Sequence, residues 1–278
     1  MPTLDYSAQT VLITGASSGI GASFARALAA RGCDLVLVAR RRERLDALAA
    51  ELEAAHGIRA TALVQDLGSP SAAAELHSAV TTAGLRITGL INNAGFGTFG
   101  PFVGEDPARL AQEIAVDVSA PVLLSAAFLP DMMAARQGFV INVASTAAYT
   151  PTPRMAVYGA AKAFVLSVTE SLWAELRASG VTVFALSPGA TSTEFNAVVG
   201  TDDATAGARM RTADDVVATA LAHLDSRDPG PSVIDGTANR AGALGLRLIS
   251  RRATATLMHR LTDPARRARR TTGQEGPV

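Results

Sequence analysis

The sequence predicts an α/β protein: a single doubly wound domain built on a parallel sheet of seven strands, with helices on both faces. Short apolar, β-branched runs alternate with Ala-, Leu- and Arg-rich stretches of helical periodicity. The runs are apolar along their whole length, as strands buried on both faces must be. A glycine-rich turn joins the first run to the first helical stretch, the junction at which such sheets bind ligands.

Six runs fall in the first two-thirds of the chain: Thr10–Thr14, Asp34–Ala39, residues 60–65, Gly89–Asn92, residues 138–144 and residues 181–186. A seventh, Ser232–Ile234, follows a helical stretch at 213–225. The plainest helices are residues 22–30 and 42–55, the second with Leu45, Leu48 and Leu52 at i, i+3 and i+7. No internal linker or repeat interrupts this pattern, so residues 1–238 are expected to form one Rossmann-like domain.

Composition narrows the function. The 278 residues are 48% hydrophobic, ample for a sizeable core, and carry no net charge, which argues against a general nucleic-acid binder. One cysteine, Cys33, excludes an internal disulfide or a Cys-rich metal site. The four histidines are widely spaced and form no metal-ligand pattern. No basic segment followed by an apolar run marks a secretory signal, and no apolar stretch approaches the ~20 residues of a membrane span. The expected setting is the cytoplasm.

Residues 239–270 read as a basic helical extension, with nine arginines against one acid, Asp263, between 240 and 270. The extension is expected to pack on its own subunit or on a neighbour. Leu257, Met258 and Leu261 make a short apolar stripe that suits a weak peripheral membrane contact as a second reading. Nucleic acid comes last, because the tail lacks aromatic residues to stack on bases. Residues 271–278 are expected to be disordered.

The first strand runs into Thr14-Gly15-Ala16-Ser17-Ser18-Gly19-Ile20-Gly21 and then a helix. Glycines allow a tight turn and close approach of backbone to phosphate, while the helix N-terminus supplies free N–H groups. An NAD site places a carboxylate some twenty residues on, at the end of the second strand. Here that place holds Ala39 followed by Arg40, Arg41 and Arg42, which suit a 2′-phosphate. NADP(H) is therefore expected in preference to NAD(H). Asp66 and Leu67, after the third run, are placed to meet the adenine.

Every other basic side chain in the Lys+Arg count is arginine; the single lysine, Lys162, stands four residues after Tyr158. On a helix that spacing puts phenol and ammonium on one face. A compact cation favours the phenolate and draws the tyrosine toward working pH.

Gly15, Gly19 and Gly21, then Asn92-Asn93-Ala94-Gly95, Ser145, Tyr158 with Lys162, and Pro188-Gly189 form an ordered set. With it the chain resembles the short-chain dehydrogenase/reductase family over residues 8 to 235. The resemblance implies a hydride transfer between NADP(H) and a carbonyl or alcohol. Tyr158 would be the general acid/base. Lys162 would lower its pKa and bind the nicotinamide ribose, and Ser145 would donate to the substrate oxygen. It also implies a cofactor bed of Ser17, Ser18, Ile20, Asn92, Asn93, Ala94, Gly95, Pro188, Gly189, Thr191 and Thr193. Where the family often has an asparagine this chain has Asp117. Ionised beside Lys162, Asp117 would partly cancel the lysine's field and raise the tyrosine pKa. Loss of turnover, leaving a cofactor-binding regulatory protein, is the alternative reading.

Pocket walls are expected from Phe96, Phe99, Ala147, Tyr149, Met155 and the segment Phe195–Val199, all without a cation to clamp an acidic substrate, although Arg154 lies nearby. They suit a lipophilic aldehyde, ketone or alcohol. Residues 200–211 read as a mobile lid. A homo-oligomer is expected, as is common in the family.

Overall fold

The structure is a computed structural model that describes residues 4–195, 199–200, 210–246 and 248–263. Residues 196–198 of the expected pocket wall, the expected lid apart from Gly200, Met210 and Arg211, and residues 264–278 of the tail lie outside the described residues. Seven parallel strands order β3-β2-β1-β4-β5-β6-β9: β1 Thr10–Thr14, β2 Asp34–Ala39, β3 Ala60–Val64, β4 Gly89–Asn92, β5 Gly138–Val143, β6 Val181–Ser187 and β9 Ser232–Ile234. Thr191–Ser192 (β7) and Arg211–Thr212 (β8) pair separately beside the sheet. The predicted strands agree to within one residue at each end.

Alternation along each strand builds two cores. Val11 and Ile13 of β1, with Leu35 and Leu37 of β2, point to one face and pack against helices α1 (Gly19–Ala29) and α2 (Arg42–His56). Leu12, Val36, Val38 and Leu90 point to the other and meet α3 (Ala72–Thr82) and α5 (Ala120–Ala135). All eight strand residues are essentially without solvent exposure. Truncating any of the four leucines to alanine would cost about 2–5 kcal/mol by transfer and cavity terms.

Helix α4 (Pro107–Ile114) begins with Asp106 accepting from the amide of Ala108 and continues through a π-helical turn, Ala115–Ser119, into α5. The resulting run, Pro107–Ala135, has 29 residues and by length and composition is apolar enough to cross a bilayer. This corrects the expectation that no apolar stretch reaches that length. Here one face of the run is core: Ala120, Leu124, Phe128, Leu129 and Met132 pack on the sheet.

Helix α6 (Ala156–Glu175) carries Tyr158 and Lys162. A buried polar chain ties it to the sheet. Asn92 Nδ2 donates to Asn142 Oδ1 at 2.8 Å, and Asn142 Nδ2 donates to Thr169 Oγ1 at 2.9 Å. Helix α7 (Ala213–Leu224) opens with a capping box between Thr212 and Asp215. After β9, α8 (Thr237–Leu246) and α9 (Arg251–Leu261) return toward the carboxyl ends of the strands.

Candidate active site

Each loop leaving the carboxyl end of β1 to β6 contributes to one cavity of about 610 Å³. The β1 loop supplies Gly15, Ser17, Ser18, Gly19 and Ile20; the β2 end supplies Ala39, Arg40 and Arg41; the β3 end supplies Gln65, Asp66 and Leu67. Gly15 sits at φ +66°, and a side chain there would come 2.8 Å from Asn93 Nδ2, so the turn requires glycine twice over. Asn93 bridges the strand ends, Nδ2 donating to the Thr14 carbonyl at 2.9 Å, and also faces the cavity. Gly21 does not line the cavity; it packs beneath the loop against Gly15 and Asn93. Asn92 is likewise turned into the sheet by the bond to Asn142.

The glycine loop and the two-arginine end of β2 present the groups a 2′-phosphorylated dinucleotide needs: free backbone at a helix N-terminus and cations in place of a ribose-binding carboxylate. Arg41 donates to Ser17 Oγ at 2.9 Å and Ser18 Oγ at 2.8 Å. Pro188, Gly189, Thr191 and Thr193 form the opposite wall. Thr193 caps the next turn, its Oγ1 accepting from the Phe195 amide at 3.2 Å, and its side chain stands over Gly19.

Ser145, Tyr158 and Lys162 meet at the middle of the cavity. Ser145 opens the 3₁₀ turn Thr146–Tyr149, its hydroxyl accepting from the Ala147 amide at 3.1 Å, and it favours the phenolate of Tyr158. Lys162 Nζ lies 5.6 Å from the Tyr158 ring centre and donates to the Val143 carbonyl at 3.2 Å. Nζ also stands 2.7 Å from Asp117 Oδ1, both side chains buried. Asp117 Oδ2 accepts from the Phe96 amide at 3.0 Å, which fixes the carboxylate under the lysine. A side chain at Gly95 would run into Asp117 Oδ1 and come 3.0 Å from Lys162 Nζ, so this glycine makes room for the ion pair.

Burial pushes the Tyr158 phenol up, Lys162 pulls it down and Asp117 opposes the lysine; the balance is upward. Lys162 pulls the phenol in the expected direction, but burial outweighs that pull here. Burial works against the Lys162 ammonium, but Asp117 and Tyr158 more than offset it and raise its pKa. One turn before Asp117, Glu113 is fully buried; burial lifts its pKa to about 7, against the pull of its bond from Thr98 Oγ1 at 3.1 Å. No sequence signal marks Glu113, because a glutamate at that helical position reads as surface.

Beyond the tyrosine the wall is apolar. Phe96, Ala147, Met155 and Phe195 line it, and the Phe195 ring stands 5.3 Å from that of Tyr158. Tyr149 does not: its hydroxyl lies 3.3 Å from Ser187 Oγ, and its ring packs on the cluster of Val165 and Ala185. Phe99 is also absent from the lining. Arg154 turns away toward α9, with NH1 3.3 Å from Thr262 Oγ1. The cavity is closed instead by residues the sequence reading missed: Glu194, and Asn239, Ala243, Leu246 and Met258 from α8 and α9. Met258 therefore leaves the apolar stripe of the tail, while Leu257 and Leu261 stay exposed.

A glycine loop, a two-arginine strand end and a Ser–Tyr–Lys set around one cleft define a dinucleotide-binding α/β protein. Comparison with known proteins narrows that class. The family model for short chain dehydrogenase matches residues 9–204, and this chain belongs to that family. It is 36% identical over 217 residues to sulfoacetaldehyde reductase 2 of Chromohalobacter salexigens, covering 77% of this chain and 85% of the relative. A very-long-chain 3-oxoacyl-CoA reductase of Phaeosphaeria nodorum is 34% identical over 62% of this chain, and the match spans only 52% of that relative. Among solved structures, a short-chain dehydrogenase from Sphingobium yanoikuyae in complex with NADPH is 40% identical, with TM-score 0.78 over 86% of this chain and 94% of that one. The bulky-bulky ketone specific alcohol dehydrogenase from Comamonas testosteroni is 31% identical, with TM-score 0.74 over 87% and 92%.

Proposed function

We propose that this chain is an NADP(H)-dependent oxidoreductase that interconverts a lipophilic carbonyl compound and its alcohol. The observation that carries the reading is the meeting of Ser145, Tyr158 and Lys162 in one cavity, between an arginine-rimmed glycine loop and an apolar wall. Gly15, Ser17, Ser18, Arg40, Arg41, Thr191 and Thr193 would hold the cofactor, which supplies a hydride when bound. The chain's own residues do the rest. Ser145 orients the substrate oxygen and offers its hydroxyl as negative charge develops there. Tyr158 passes its proton to that oxygen in reduction and takes it back in oxidation. Lys162 steadies the phenolate left behind. Phe96, Met155, Phe195, Leu246 and Met258 orient an apolar substrate and exclude water.

The Sphingobium neighbour with NADPH and the ketone-specific Comamonas neighbour support this reading by likeness. A second reading, a cofactor-binding regulator without turnover, draws on the Asp117–Lys162 pair and the raised phenol. A panel of lipophilic and charged aldehydes and ketones, assayed with NADPH and with NADH, tests the proposal. Turnover concentrated in the lipophilic members with NADPH is expected. Preference for charged members would contradict the substrate class, and equal rates with NADH would contradict the cofactor.

A further inference from the structure

Arg41 and Arg44 close on one carboxylate at the rim of the cavity. Arg41 NH1 reaches Glu194 Oε2 at 2.8 Å, and Arg44 NH1 reaches Oε1 at 2.6 Å. The rest of the Arg41 fork holds the Ser17 and Ser18 hydroxyls. Two guanidinia and two hydroxyls converging at the end of β2 make an anion site, and both oxygens of Glu194 fill its cationic half. The arginines in turn hold the Glu194 carboxyl down at about 2, so it is ionised at any working pH.

We propose that Glu194 is a specificity-determining residue: an internal carboxylate that competes with the 2′-phosphate of NADP(H) for Arg41 and Arg44. The inference rests on the NADP(H) reading. A phosphate dianion brings more charge and three acceptor oxygens, so it displaces the carboxylate. NAD(H) carries no such group and leaves the pairs intact. Glu194 thus lowers the affinity for the phosphorylated cofactor alone. It belongs to the strap that also carries Thr193 and Phe195, so arrival of the 2′-phosphate frees the strap from α2 beside the substrate wall.

Glu194, Arg41 and Arg44 are all exposed, so Glu194→Gln leaves the fold intact, which a melting curve on the same sample checks. NADPH and NADH are titrated by their fluorescence into the native chain and into Glu194→Gln. Exposed ion pairs contribute weakly, so Kd for NADPH should fall roughly 3- to 10-fold in the variant while Kd for NADH stays the same. The gain should shrink in high salt. An unchanged Kd for NADPH, or a loss of affinity for both cofactors, would overturn the proposal; the latter outcome would make the pair a clasp. Failure of the reading beneath it looks different: Arg41→Ala would then weaken NADPH and NADH equally in an otherwise native chain.

Discussion

At the scale of single residues, the proposed chemistry turns on how Tyr158, Lys162 and Asp117 share charge. Lys162 is held between the phenol it serves and Asp117 at 2.7 Å, so part of its field is spent on the carboxylate. Asp117→Asn removes that opposition, and the Tyr158 phenol falls toward its ordinary range. The acid form is then lost at lower pH. The alkaline limb of the pH–rate profile for reduction should therefore move to lower pH. An unmoved limb would show that Asp117 does not act on the phenol. Glu113 gives a stability counterpart. Its pKa in the folded chain, about 7, lies above the ordinary 4.5, so between those values the unfolded chain gives up a proton that the folded chain keeps. Stability falls as pH rises through that window, and the full cost is present above it. Glu113→Gln should melt higher than the native chain at pH 8, by roughly 2–4 °C for each kcal/mol recovered, with the gap closing toward pH 5. A gap that is the same at both pH values would contradict a buried titrating carboxyl.

At the scale of elements, the strands and the cofactor loop were legible because their signals are local. Apolar runs such as Val11–Leu12–Ile13 mark a strand by composition alone, and Gly15 and Gly19 mark a turn by the positive φ they must adopt. The two C-terminal helices were legible as helices, but not as walls. Nothing in the spacing of Leu257, Met258 and Leu261 says which of the three turns inward; that is set by how α9 docks. The docking runs through Arg154, whose guanidinium bonds the C-terminal end of α9, and through the burial of Thr254. Tyr149 failed for the same reason: a 3₁₀ turn points successive side chains in different directions, and here the cavity takes Ala147 and the sheet side takes Tyr149. Met258→Ala should raise KM for bulky lipophilic substrates several-fold and leave Kd for NADPH unchanged, because the proposed function assigns Met258 to the substrate wall. A matching loss of NADPH affinity would place α9 against the cofactor instead.

At the scale of the molecule, the fold gathers groups that are far apart in sequence at one edge of a sheet. The order β3-β2-β1-β4-β5-β6-β9 sets a switch point between β1 and β4, where the glycine loop opens. The buried chain from Asn92 through Asn142 to Thr169 fixes the register of α6 against the sheet, and so the place of Tyr158. The central claim is that Tyr158 gives and takes the proton in a reaction driven by bound NADP(H). The most direct test compares native chain and Tyr158→Phe for NADPH consumption with the best lipophilic carbonyl, with NADPH binding measured on the same samples. The account predicts a fall in kcat of at least about 10²- to 10⁴-fold with NADPH affinity retained. Turnover that survives the loss of the hydroxyl, with the cofactor still bound, would contradict it.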